Sequence, residues 1–205
     1  IGLRRLTAPG AMAGIDAVYN DLDRHVAGEL ERLPHTGAVR GIYAYEDGAE
    51  HSFRAARARG LVCVYELPIA HWQTTQRLLR EEAERLPQWR CTLAGIDDSA
   101  EKLERKNREL EMAHAVVVPS AFVLDSLPAH IRHSTPCIVA PFGAPATSGT
   151  ARPSGRPSER LRVLFAGTLT QRKGLADLFA AMRLLNRTDV ELVVMGSAVA
   201  SMSFY

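Results

Sequence analysis

Short apolar runs alternate with longer polar, periodic stretches along the chain. The runs cover residues 39–43, 61–65, 115–118, 137–140, 161–166 and 190–195. Each is rich in Val, Ile or Leu and is bounded by Gly, Pro or charge. Runs of this kind predict strands of a parallel sheet buried on both faces. Between them lie stretches with helical character, at 49–59, 71–86, 99–113 and 173–185. In the third, Glu101 with Arg105 and Glu104 with Arg108 stand four apart, the spacing of ion pairs on a solvated helix face. In the last, Leu175, Leu178, Phe179, Met182 and Leu185 recur at helical spacing and form one apolar stripe. Strand–helix alternation over this length predicts an α/β fold with mainly parallel sheets.

Residues 145–160 break the pattern. They are rich in Pro, Ser, Gly, Ala and Arg, have almost no large apolar side chain, and read as a linker. The expected organisation is a first domain over 1–144, the linker, and a second domain starting at 161. From 161 to 205 there is room for one strand–helix–strand unit, which cannot cover both faces of its own sheet. The expectation is therefore a natural protein that continues past Tyr205. The opening residues lack an initiator Met and the apolar core of a signal peptide, so the chain reads as beginning mid-protein.

Charge and cysteine content narrow the classes. The formal net charge is +2, with both signs mixed, and aromatics are not interleaved with basic residues. That argues against a nucleic-acid partner. Cys63, Cys91 and Cys137 are odd in number and widely spaced, so they form no disulfide framework and suit a reducing cytoplasm. Cys63, within an apolar run, reads as a small buried hydrophobe. No apolar run approaches the ~18 residues needed to span a bilayer. The Arg-rich stretch 152–162 leaves two readings, peripheral contact with anionic lipid at the inner membrane face and a solvated linker, and composition favours the linker.

The segment with chemical character follows the run 161–166. Gly167 closes it, and a short polar loop with Thr168 leads to Arg172, Lys173 and Gly174 before the amphipathic helix. The run 190–195 closes in the same way on Gly196. This is a βαβ pattern, and ligands of open α/β sheets sit beyond the carboxyl ends of the strands. Gly at those ends lets a ligand approach the backbone. Two adjacent cations at a helix start, where the peptide dipoles already present positive charge, become favourable when an anion is bound. A phosphate pocket and an ordinary solvated helix start are both open at this point. No Walker-type Gly-Lys-Ser/Thr and no G-x-G-x-x-G is present.

Other residues are weaker candidates. His71 follows the strand region 61–67, near Glu66, where it could assist catalysis or contact an acceptor; a histidine at a helix start beside a carboxylate is the plainer reading. Glu46 and Asp47 lie just past a strand end and read as turn and cap residues for the helix that follows. His130, His133 and Cys137 match no zinc spacing and lie in what reads as a surface loop, so no metal is expected.

The stretch 161–174, Leu-Arg-Val-Leu-Phe-Ala-Gly-Thr-Leu-Thr-Gln-Arg-Lys-Gly, with 190–196, Val-Glu-Leu-Val-Val-Met-Gly, resembles the second domain of the retaining glycosyltransferases of family four. Upstream, 109–120 with Phe122, Val123 and 125–127 is similar to the end of that family's first domain. Pro141, Phe142 and Gly143 are similar to its Pro-Tyr/Phe-Gly element. The matching blocks cover roughly 100–200, while residues 1–99 match only in a general way. The resemblance implies two Rossmann-like domains in the B-type arrangement, the second incomplete here. It implies a nucleotide-sugar donor in the cleft and sugar transfer to a glycan, lipid or small-molecule acceptor with retention of configuration. It implies no metal and no further cofactor. By the matching positions, Gly167 and Thr168 approach the donor diphosphate, Arg172 and Lys173 bind it, and Ser120, Gly143 and Gly196 line the cleft. A cytoplasmic enzyme, soluble or peripheral to the inner membrane face, is the expectation. Same-fold alternatives are a sugar phosphorylase or an epimerase; a non-catalytic glycosyltransferase-like subunit is the alternative of another class. This chain departs from the family pattern at His114, where Asp is usual, a change that reads as a local packing or capping contact. It departs again at Ala144-Pro145, where Val-Asp or Val-Asn is common. The family's Gly-rich opening loop and its Glu-x7-Glu segment are not in the sequence, so the piece is expected to be inactive alone.

Overall fold

The computed structural model describes residues 14–34, 37–146 and 160–205. Most of the expected linker (147–159) and the opening residues lie outside them, as does most of the Arg-rich stretch. The chain divides into two compact units. The first comprises residues 1–74 and 98–142; the second comprises 75–97 and 143–205. Each is described by itself.

The first unit holds α1 (Ile15–Arg32), β1 (Gly41–Tyr45), α2 (Glu50–Ala58), β2 (Val62–Glu66), the start of α3 (Trp72–Arg85), α4 (Ala100–Glu111), β3 (Ala115–Val118), α5 (Ala121–Ser126), α6 (Ala129–Ser134) and β4 (Cys137–Val139). Its four strands form one parallel sheet in the order β1-β2-β3-β4. The register aligns Ala44, Tyr65, Val116 and Cys137 in one row across the sheet. That row and its neighbours Cys63 and Val118 pack with Phe53 and Ala56 of α2, Leu110 of α4, Val123 of α5 and Ile131 of α6. The other face is more open. Tyr43, Tyr45, Val62 and Ile138 are all exposed. The expectation of strands buried on both faces is therefore corrected: the described helices cover one face, leaving Ile42, Ala44 and Cys137 of the edge strands half-buried, and a strand's period of two turns alternate residues away from them.

Two long-range carboxylates organise the β1–α2 connection. Asp23 of α1 accepts from the backbone N–H of His51 (2.6 Å) and Ser52 (2.9 Å), and Glu109 of α4 accepts from Asp47 (2.9 Å) and Ala49 (3.1 Å). They satisfy amides at the start of α2 that have no intrahelical partner. Glu46 and Asp47 do not cap this helix, contrary to the sequence reading. They are turned instead onto α4, where Lys106 Nζ lies 3.1 Å from Glu46 and 3.5 Å from Asp47. Arg105 pairs with Asp16 and stands 3.4 Å from Asp47. Arg108 pairs with Glu50 at 2.9 Å. The Glu101–Arg105 and Glu104–Arg108 pairs are thus replaced by longer-range ones: Glu101 and Glu104 stay exposed, while Arg105 is buried and Arg108 is half-buried.

The second unit holds α3 from Thr75 onward, a 3₁₀ turn at Pro87–Thr92, β5 (Leu161–Ala166), a 3₁₀ turn at Gln171–Lys173, α7 (Leu175–Leu185), β6 (Val190–Met195) and a final turn at Met202–Phe204. β5 and β6 pair in parallel over their full length, from Leu161 with Val190 to Ala166 with Met195. Leu175 of α7 is fully buried and packs with Trp89, Leu169, Phe165, Phe179 and Phe204. Together the two units make an α/β protein with two parallel sheets. Among the described residues, no helix is long and apolar enough to cross a membrane.

Candidate functional site

The loop after β5 does not leave the sheet at once. Gly167 N–H donates to Met195 O (2.9 Å) and Leu169 N–H to Ser197 O (2.9 Å), so the two strand ends continue side by side past their last residues. Leu169 and Ala198 form an isolated parallel bridge. The two glycines of this region have different reasons to be glycine. A Cβ on Gly196 would stand 1.7 Å from the carbonyl oxygen of Gly167, so Gly196 is required by the approach of the two chains. That packing reason stands beside the expectation that Gly196 lines a cleft. Gly167 has φ +151°, a conformation that disfavours side chains, and nothing lies within 4 Å of the place a Cβ would take. Its position is open, and Thr168 beside it is exposed.

Arg172 and Lys173 follow in the 3₁₀ turn, both exposed. The α-helix begins two residues later than the sequence suggests. Gly174 takes a left-handed conformation (φ +73°), and helical backbone starts at Leu175. The basic pair therefore precedes the helix instead of forming its first turn. That turn carries Asp177, the sign the peptide dipoles favour there. Among the described residues, neither Arg172 nor Lys173 forms an ion pair.

The turn is fastened from below. Thr170 Oγ1 donates to Thr92 O (2.5 Å) and accepts from Arg172 N–H (3.2 Å). Gln171 N–H donates to Thr92 Oγ1 (3.0 Å). The Gln171 amide is buried. Its Oε1 accepts from Ala176 N–H (2.7 Å), and its Nε2 donates to Glu82 and to Asp177, each at 2.6 Å. Arg85 bridges the same two acids, 2.5 Å from Glu82 and 2.8 Å from Asp177. The Arg85 guanidinium, and then the Gln171 amide, hold both carboxyls below their usual range. Sequence reasoning missed Thr92, Gln171, Glu82 and Arg85. Their partners lie about eighty to ninety residues away, and no local spacing marks such a contact.

Of the remaining candidates, Ser120 and His71 belong to the first unit and Gly143 to the second. Ser120 stands just after β3, and its hydroxyl is occupied in capping α5, accepting from Val123 N–H at 3.3 Å. Gly143 is exposed, with nothing within 4 Å of a Cβ. His71 is buried at 2% exposure, its backbone N–H donates to Ser126 Oγ (2.8 Å), and its ring lies against Trp72. Neither ring nitrogen has a hydrogen-bond partner among the described residues. Burial, and then the charge of Lys106 and His130, pushes its pKa down to about 4, so the ring is neutral at pH 7. The carboxylate expected beside it, Glu66, makes no hydrogen bond to the ring. Glu66 instead accepts a hydrogen bond from the Tyr43 hydroxyl. That bond, and then burial, raises the Tyr43 pKa to about 12.

His130 and His133 lie on α6, not in a surface loop, because Ile131 between them is buried in the core. Among the described residues, no group of three His, Cys, Asp or Glu could hold a metal ion. His114 is a backbone fastener: its Nδ1 accepts from Cys63 N–H (2.9 Å), and its own N–H donates to Cys63 O (2.8 Å). Comparison with known protein families and with curated proteins finds no match for this chain.

Proposed function

We propose that this chain belongs to a retaining glycosyltransferase of the two-domain B-type architecture. In this reading Arg172 and Lys173, with the open backbone at Gly167 and Thr168, receive the diphosphate of a nucleotide-sugar. The observation that carries it is the adjacent Arg172–Lys173 pair, exposed and without an ion pair among the described residues, set on a fastened turn beyond the carboxyl end of β5. Cations held without an internal acid keep their full charge for a ligand. In the reaction, the acceptor oxygen forms a bond to the anomeric carbon as the bond from that carbon to the diphosphate oxygen breaks. The acceptor proton is released, and the leaving diphosphate gains negative charge. Arg172 and Lys173 stabilise that developing charge. His71 is given no step, because its ring is buried.

The test is product analysis. The natural full-length protein is incubated with UDP-, GDP- and ADP-sugars and with panels of sugar, lipid and polyol acceptors. Release of the nucleoside diphosphate together with a glycoside of unchanged anomeric configuration supports the reading. A sugar phosphate formed when inorganic phosphate replaces the acceptor would reassign the protein as a phosphorylase. An inverted product would remove it from the retaining class.

A further inference from the structure

Gln171 has a place that the basic pair alone does not explain. It is 3% exposed, directly before two exposed cations, and every polar group it owns is engaged. Its N–H goes to Thr92 Oγ1, and its carbonyl accepts from Gly174 N–H at 2.9 Å. Its side chain takes one amide from the first turn of α7 and gives one hydrogen each to Glu82 and Asp177. Only a carboxamide has two donors and an acceptor in this arrangement. A glutamate would set a third carboxylate against two ionised ones, and an aliphatic side chain would leave Ala176 N–H without its acceptor. Thr92 completes the fastening, because its hydroxyl accepts from Gln171 while donating to Trp89 O at 2.8 Å. The turn is thus fixed at its first residue by α3, by the Pro87–Thr92 turn and by α7 together.

We infer that Gln171, seated on Thr92, is a positioning residue that pre-sets the backbone of Arg172 and Lys173 for a diphosphate. This inference rests on the reading of that pair as the donor-diphosphate site. A long cation on a mobile loop loses conformational freedom when it closes on a phosphate, and fixing its backbone beforehand removes part of that cost. The fastening therefore acts on affinity for the diphosphate and not on the charge of the site. It acts most on a diphosphate, whose larger charge can engage both cations where a monophosphate can be met by one.

The experiment titrates UDP, GDP and ADP, and the matching monophosphates, into the natural full-length protein and its variants. Gln171→Leu and Thr92→Val are expected to weaken nucleoside-diphosphate binding by roughly tenfold, the scale of losing preorganisation in two long side chains. Both are expected to shrink the preference for diphosphate over monophosphate. Thr92→Ser, which keeps the hydroxyl, retains the wild-type preference. Should Gln171→Leu fail to fold, the Val and Ser variants at Thr92 decide the matter. If both variants melt earlier yet keep wild-type diphosphate affinity and preference, Gln171 is structural only and the inference is overturned. In that case Arg172→Ala with Lys173→Ala still tests the site itself. If the wild-type protein binds no nucleoside diphosphate, the donor-site reading fails and this inference with it.

Discussion

The chain carries the dipeptide Arg-Lys twice, at 105–106 and at 172–173, and the two copies have opposite surroundings. Arg105 and Lys106 are each 7% exposed and are surrounded by Asp16, Glu46, Asp47 and Glu109. Arg172 and Lys173 are exposed and form no ion pair among the described residues. The first pair is part of the architecture. It ties α4 to the end of β1, and its charge is spent on carboxylates that burial would otherwise expel. The second pair is held in place through its backbone, with its side chains exposed. The same two residue types serve as structure in one place and, in the function proposed above, as a recognition surface in the other, depending on where the nearest acids lie.

The largest effect separating the copies is on stability. Lys106→Ala leaves Glu46 buried without its cation and is expected to cost about 3 kcal/mol, the scale for removing one partner of a buried pair. Lys173→Ala is expected to change stability by less than about 0.5 kcal/mol, as exposed substitutions do. Urea denaturation of the two variants checks both, and equal losses would erase the distinction.

Acid sensitivity sharpens the contrast, because the buried titrations lie in the first unit. His71 has its pKa lowered from 6.5 to about 4, so the fold keeps it neutral while the unfolded chain takes up a proton. Its contribution is complete above pH 6.5 and is lost as pH falls toward 4, by about 3 kcal/mol over that window. Glu109 acts in the opposite direction. Burial raises its pKa from 4.5 to about 7, so its contribution is greatest below pH 4.5 and declines as pH rises to 7. His71→Gln is expected to remove the acid loss and Glu109→Gln the loss on raising pH, each seen in stability measured from pH 4 to pH 8. A wild-type slope in either single variant would contradict the assignment.

A smaller effect separates the two glycines that follow β5 and β6. Gly196→Ala, with its Cβ driven into the Gly167 carbonyl, is expected to cost about 2 kcal/mol by thermal unfolding. Gly167→Ala meets open space and only the penalty of its φ, about 1 kcal/mol, but it is expected to weaken diphosphate binding as well. Unchanged diphosphate affinity in Gly167→Ala would mean that Gly167 faces no ligand.

Strand–helix alternation was legible in the sequence, and the strands 115–118, 161–166 and 190–195 lie where their apolar runs predict. Short Val- and Leu-rich runs between breakers carry that information locally. The expected strand at 39–43 lies two residues further on, because Tyr43 and Tyr45 extend it with an exposed aromatic alternation. α1 was missed. Its residues Ile15, Val18, Tyr19 and Leu22 are exposed, so their helical spacing does not mark a core face. The basic pair was legible, but the reason it stands where it does was not. Thr92 and Gln171 become neighbours only through the fold. For the same reason, nothing local shows that Arg105 and Lys106 are buried while Arg172 and Lys173 are not.

The most direct measurement is a calorimetric titration of UDP, GDP and ADP into the natural full-length protein, repeated with Arg172→Ala and Lys173→Ala together. The account predicts saturable binding of a nucleoside diphosphate that weakens with added salt and disappears in the double variant. Unchanged affinity in that variant, or no binding by the folded wild-type protein, would contradict it.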